Sequence, residues 1–143
     1  MDFKVKWFKE LTSSELYELL KARAEIFVVE QDVAYQDLDG IDYDSLHCYF
    51  WDDGKVLAYL RAFRLDESTI KLGRVLTLTH GKGMGRELMK NAIEAVKSNF
   101  EFKKILISAQ KYAIGFYEKF GFKVTSEVYL EDEIEHVRME LDI

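Results

Sequence analysis

The chain of 143 residues contains no proline and a single cysteine, Cys48. A lone cysteine cannot close an intramolecular disulfide. Without cysteine and histidine companions it cannot build a structural zinc site either, so redox and metal chemistry are not expected. No apolar run approaches the ~20 residues that a bilayer-spanning helix needs. Met1-Asp2-Phe3-Lys4 alternates instead of presenting a basic segment and then an apolar stretch, so no secretory leader is read there and a cytoplasmic location is expected. Basic residues are also in deficit. The formal net charge is −6, and a polyanion needs a basic footprint to neutralise its phosphates, which argues against a nucleic-acid binder and makes a cationic partner easier to accept.

What remains is the composition of one ordinary soluble domain spanning residues 1–143, with 48% hydrophobic and 32% charged residues. The acidity gathers in two stretches, Asp37, Asp39, Asp42 and Asp44, then Glu131, Asp132, Glu133 and Glu135; most of these carboxylates read as solvated loop charge. Phe3, Val5 and Trp7 alternate with Lys4 and Lys6 as in a half-buried strand. Thr12 and Glu15 have capping-box spacing ahead of the helical face Leu16, Leu19, Leu20 and Phe27. Residues 28–45 show no period and read as a loop with at most a short helix. Two aromatic-rich runs between His47 and Arg64 flank Asp52-Asp53-Gly54 and predict a hairpin, and Ile70 to Thr79 predicts a third strand. Met84, Leu88, Met89, Ala92, Ile93 and Val96 mark a helix, Lys104 to Ser108 a strand, and Ala113, Phe116, Tyr117 and Phe120 a second helix face that Gly121 terminates. Phe122 to Tyr129 and His136 to Leu141 complete the strands. The order β-α-β-β-β-α-β-α-β-β predicts an α+β domain with a mixed, mostly antiparallel sheet and helices on its faces.

The turn His80-Gly81-Lys82-Gly83-Met84-Gly85-Arg86 joins a predicted strand to a predicted helix. Glycine lets the chain turn tightly and an anion approach its amides, and the first helical turn offers unpaired donors at the positive end of its dipole. A pyrophosphate suits such a place; a plain turn before a helix is the equally simple reading. A P-loop requires Ser or Thr after Gly-Lys, where Gly83 stands. The dinucleotide fingerprint requires glycine where Arg86 stands, and a βαβ unit instead of a meander.

The stretch His80 to Gly85 resembles the Gln/Arg-x-x-Gly-x-Gly/Ala acetyl-CoA signature of the GNAT acetyltransferases, with histidine first and a connection from the strand about two residues shorter than usual. Gln110 to Phe122 resembles the second signature of that family, Asn-x-x-Ala-x-x-Leu-Tyr and then Gly-Phe, with Gln110 in the asparagine position and Tyr117 in the tyrosine position. The resemblance implies a GNAT-like fold. It also implies that Gly81, Lys82, Gly83, Met84, Gly85 and Arg86 donate amides or charge to the pyrophosphate of acetyl-CoA, that Val75, Leu76 and Thr77 bond the pantetheine arm, and that Gln110 and Tyr117 lie at the donor site. Tyr117 taken alone reads as a core aromatic. As a neutral phenol of pKa ~10, it suits a general acid for a departing thiolate. An attacking amine of pKa ~10.4 must lose a proton, at about 4.6 kcal/mol at pH 7. Glu30, Glu131, Asp132 and His136 are the candidates to accept it, and the residues do not choose among them.

Further stretches resemble the ElaA-like branch of the family: Arg23 to Gln31, Tyr35 to Asp42, His47, Gly73-Arg74-Val75, Ser108-Ala109-Gln110 and Tyr129 to Met139. In that branch the last stretch usually reads Glu-Asp-Gly-Ile-Pro-His, so Glu133 and Glu135 replace a glycine and a proline. Arg23, Glu30, Asp37, Asp39, His47, Arg74, Asp132 and His136 are then expected to line an acceptor cleft, although structural ion pairing explains any single one as well. The expected activity is acetyl transfer from acetyl-CoA to a primary amine, small-molecule or peptide, with no metal. The alternative is a non-catalytic acetyl-CoA sensor or regulatory module. Two late strands also leave an edge that a second copy would meet in a homodimer.

Overall fold

The computed structural model describes residues 1–32, 35–78 and 83–143. The turn residues His80, Gly81 and Lys82, like Thr79, lie outside them. Eight strands form one sheet in the order β1-β2-β3-β4-β5-β8-β6, with β7 also paired to β8. The strands are β1 Asp2–Trp7, β2 Leu46–Asp52, β3 Lys55–Asp66, β4 Thr69–Thr77, β5 Lys104–Gln110, β6 Lys123–Val124, β7 Tyr129–Glu131 and β8 Ile134–Asp142. Every pairing is antiparallel except β4 with β5. The helices are α1 Ser13–Arg23, α2 Met84–Asn99 and α3 Ile114–Glu118.

The period-two pattern of β1 divides two kinds of work. Phe3, Val5 and Trp7 pack against the larger core, while Lys4 and Lys6 reach Glu15 on the other face, at 2.9 and 2.8 Å. Glu15 is buried and closes the capping box with Thr12, and it also accepts from the Tyr49 hydroxyl. Burial alone would raise its carboxyl pKa, but the bonds from Lys6, the Thr12 amide, Lys4 and Tyr49 hold it well below the usual range. The hairpin between β2 and β3 turns on Asp53 and Gly54, with φ of 49° and 72°, the left-handed pair that a two-residue turn requires.

The helices cover both faces of the sheet. From α1 and its continuation, Leu19, Ala22 and Ile26 pack on Tyr49, Val56, Tyr59 and Leu76. On the opposite face Leu88, Met89, Ala92, Ile93 and Val96 of α2 join Cys48, Leu60, Ile105 and Ile107. Two expectations are corrected. The helix does not end near Phe27: it widens into a π-helical stretch over Ala24–Glu30, so Val28 is still helical. Nor is Phe122 to Tyr129 one strand. Pairing with β8 lapses after Val124, because the Ser126 Oγ takes the Arg138 amide at 2.8 Å where a strand carbonyl would.

Candidate active site

The parallel pairing of β4 with β5 lasts only from Thr69↔Lys104 to Leu72↔Ile107, and beyond it the strands part. The opening leads into a cleft of about 490 Å³. Its walls are Gly73, Arg74, Val75, Leu76 and Thr77 of β4, Ile107, Ser108 and Gln110 of β5, the π-helical stretch with Ile26, Phe27 and Glu30, and the β7–β8 turn with Glu131, Asp132 and His136. A β-strand edge without a partner leaves amides and carbonyls free for an extended ligand. At one end α2 begins on Gly83, whose φ is 71° and which has no atom of the described residues within 4 Å of where a Cβ would sit. Gly85 packs against Phe116 and Thr77, tying that helix start to α3 and to the end of β4.

Tyr117 lines the cleft from α3, its ring packed against Phe116 and Phe122. Burial, and then the neighbouring Tyr112, push its phenol pKa up, so it stays protonated at neutral pH. Its hydroxyl makes no hydrogen bond to any described residue.

The opposite wall carries a small polar cluster. His136 Nδ1 donates to the Ile134 carbonyl at 2.7 Å, which fixes the ring and, in the neutral imidazole, makes Nε2 the acceptor nitrogen. That Nε2 lies 3.4 Å from Glu131 Oε2. The His136 ring stacks on Tyr129, and the Ser108 hydroxyl is bonded to both Tyr129 and Glu131. The β7–β8 turn consists of Asp132 and Glu133, with φ of 51° and 65°. Glu133 thus stands in a left-handed position where glycine would be unstrained.

A second ionic group lies behind the other wall. Arg23, with no exposed surface, donates to Asp37 at 3.0 Å and Asp42 at 2.6 Å. Arg61 donates to Asp39 at 2.6 Å and Asp42 at 3.0 Å, and Arg74 donates to Asp37 at 2.9 Å. His47, equally buried, bridges the Tyr59 hydroxyl and the Asp42 carbonyl; burial pushes its pKa down and keeps it neutral.

Of the expected site residues, the fold brings Val75, Leu76, Thr77, Gly85, Gln110 and Tyr117 together in the cleft with Glu30, Arg74, Glu131, Asp132 and His136. Gly81 and Lys82 fall outside the described residues. Met84 packs against the core, and Gly83 and Arg86 are exposed at the start of α2. Arg23, Asp37, Asp39 and His47, expected at the acceptor cleft, do not line it; they belong to the ion-pair group one layer deeper, where each is held by charged or hydrogen-bonding partners. Arg61, Ser108, Tyr129 and Tyr35 are not among the site residues expected from the sequence, although the last three lie in the stretches that resemble the ElaA-like branch. Arg61 is the one charged residue in the otherwise apolar run from Val56 to Phe63, which was the available signal.

The family model described as an acetyltransferase (GNAT) domain matches residues 12–143. Protein ElaA of Escherichia coli is 36% identical over 140 residues, covering 94% of this chain and 92% of its own. Its crystal structure matches with a TM-score of 0.92 and 34% identity, over 98% of this chain and 99% of that one. A crystal structure of an acyl-CoA N-acyltransferase from Pseudomonas aeruginosa matches with a TM-score of 0.92 and 39% identity, over 98% of this chain and 99% of that one. A UPF0039 protein of Schizosaccharomyces pombe is 38% identical over 147 residues, covering 100% of this chain and 98% of its own.

Proposed function

The chain belongs to the GNAT acetyltransferase family, and on that premise we propose that residues 1–143 act as one domain that moves an acetyl group from acetyl-CoA to a primary amine in the cleft. The observation that carries the reading is the meeting, in one cleft, of an unpaired strand edge, a protonated phenol with an unengaged hydroxyl, and an imidazole with an available lone pair.

Each group has a use in the transfer. The β5-facing backbone of Val75, Leu76 and Thr77, unpaired among the described residues, fits an extended pantetheine arm, and the start of α2 at Gly83 fits the negative end of the same molecule. Strand amides at the opening polarise the thioester carbonyl. His136 Nε2 takes the first proton from the acceptor's ammonium and passes it to solvent, then takes the second as the free amine attacks and the C–N bond forms, with Glu131 stabilising the imidazolium each time. Tyr117 delivers a proton to the sulfur as the C–S bond breaks and the thiolate leaves with the electron pair. The phenol is then one proton short and the imidazole holds one more, and exchange with solvent at the cleft mouth restores both. Among the four candidates for the base, His136 is favoured because its tautomer is fixed by the Ile134 carbonyl. Glu30, Glu131 and Asp132 around the same cleft favour a cationic acceptor, a small amine or a peptide amine.

The test is a calorimetric titration with acetyl-CoA of the wild type and of Gly83→Glu, followed by detection of free thiol across an amine panel. Wild-type binding that is lost in Gly83→Glu is expected, as is turnover that falls about 10²-fold or more in Tyr117→Phe at unchanged acetyl-CoA affinity. A folded wild type that does not bind acetyl-CoA removes the reading.

A further inference from the structure

A strained residue and its clamp sit where β4 leaves β5. Between Tyr59↔Leu76 and Arg61↔Gly73, β4 advances three residues against two of β3, so it carries one residue more than its partner. Arg74 lies in that bulge with φ of 52°, a conformation that side chains with a Cβ resist. The strand recovers its pairing with β3 at Leu76, but not its pairing with β5. The extra residue is therefore what offsets Val75–Thr77 from the line that β5 follows.

The guanidinium of Arg74 is committed elsewhere. Nε donates to Asp37 Oδ1 at 2.9 Å, while Nη2 donates to the Asp37 carbonyl at 3.0 Å and to Asp39 Oδ2 at 3.3 Å. Its plane lies over the Tyr35 ring, at 5.3 Å. Asp37 is itself fixed by Arg23, and Asp39 by Arg61.

Resting on the transfer reading above, we propose that Arg74 is a positioning residue: its side chain is the handle by which Asp37 and Asp39 hold the left-handed bulge, and the bulge aims the Val75–Thr77 backbone at the thioester. The contribution of Arg74 then lies in its backbone angle, with the acceptor bound elsewhere in the cleft. Glycine adopts that angle without a clamp; alanine does not.

Arg74→Gly and Arg74→Ala remove the same ion pairs, so any cost of losing them is common to both, and the difference reads the backbone alone. Arg74→Gly is expected to keep about ten times the kcat of Arg74→Ala, since a misplacement of about 1 Å costs on the order of 10²-fold. Arg74→Asn, which tolerates left-handed φ, should follow glycine, and Arg74→Gln should follow alanine. Melting temperature gives the same ranking without any turnover, so the strain is testable even if wild-type protein proves inactive and the transfer reading fails. Equal kcat losses in Gly and Ala, or Asn and Gln together above both, overturn the proposal and make Arg74 a direct contact of the acceptor.

Discussion

Two polar clusters flank the cleft, and they differ in how much bonding capacity each has left. In the arginine group, Arg23, Arg61 and Arg74 meet Asp37, Asp39 and Asp42 at distances from 2.6 to 3.3 Å, and His47 is bonded through both ring nitrogens. In the histidine cluster, His136 has one nitrogen fixed at 2.7 Å and the other at a looser 3.4 Å from a carboxylate that is 48% exposed. The first group is mostly buried and each of its charges is held by at least two partners, Arg61 Nε alone lacking one among the described residues, which makes it scaffold. The second is more loosely held and lines the cleft, which is what the proposed proton transfer requires. Charge alone does not separate them; satisfaction does.

That contrast breaks most severely at its buried end. Arg23→Met leaves Asp37 and Asp42 without their shared cation, and about 3–5 kcal/mol of stability should disappear in denaturant unfolding, with the midpoint lowered. On the other wall, His136→Ala should lower turnover about 10²-fold while acetyl-CoA affinity holds. Equal losses of both would remove His136 from the acceptor side.

Acid separates the clusters without mutation. The Arg61 bond, foremost, holds Asp39 down to about 2, and Asp42 lies below its ordinary value of 3.8, because its bonds to Arg23 and Arg61 outweigh a burial that would raise it. Carboxyls depressed in the folded state contribute stability that is complete above the unfolded value and drains away as pH falls through the folded one. Wild-type melting should therefore fall between roughly pH 4 and pH 2, and Arg61→Met should flatten that fall. The smallest effect belongs to the β7–β8 turn. Glu133→Gly removes the left-handed strain and should raise stability by roughly 0.5–1 kcal/mol in the same unfolding assay, with the chemistry of His136 untouched.

The sequence was most legible where a local rule acts. The capping box of Thr12 and Glu15 and the Asp53-Gly54 hairpin follow from neighbouring residues, and both are present. The resemblance of Gln110 to Phe122 to a family signature pointed to the cleft residues that α3 and β5 supply. Arg23 and His47 were marked correctly as polar groups among apolar ones, but their partners lie 14 and 12 residues away in sequence, and only the fold decides that they face inward. The Phe122 to Tyr129 run failed for a related reason. Its residues alternate acceptably, yet Ser126 competes for the Arg138 amide, and nothing local announces a bond across 12 residues. Ser108 and Tyr129 escaped notice as a pair because neither carries charge.

The brief parallel seam between β4 and β5 has a consequence for cooperativity. Among the described residues, four residue pairs join a meander of β1 to β4 to the ladder of β5, β8 and β6 within the sheet. Regions joined by few hydrogen bonds open at lower free energy than the core on either side. An extended molecule lying along the free edge of β4 would act as a splint across this seam, lending the two half-sheets the continuity that the polypeptide withholds.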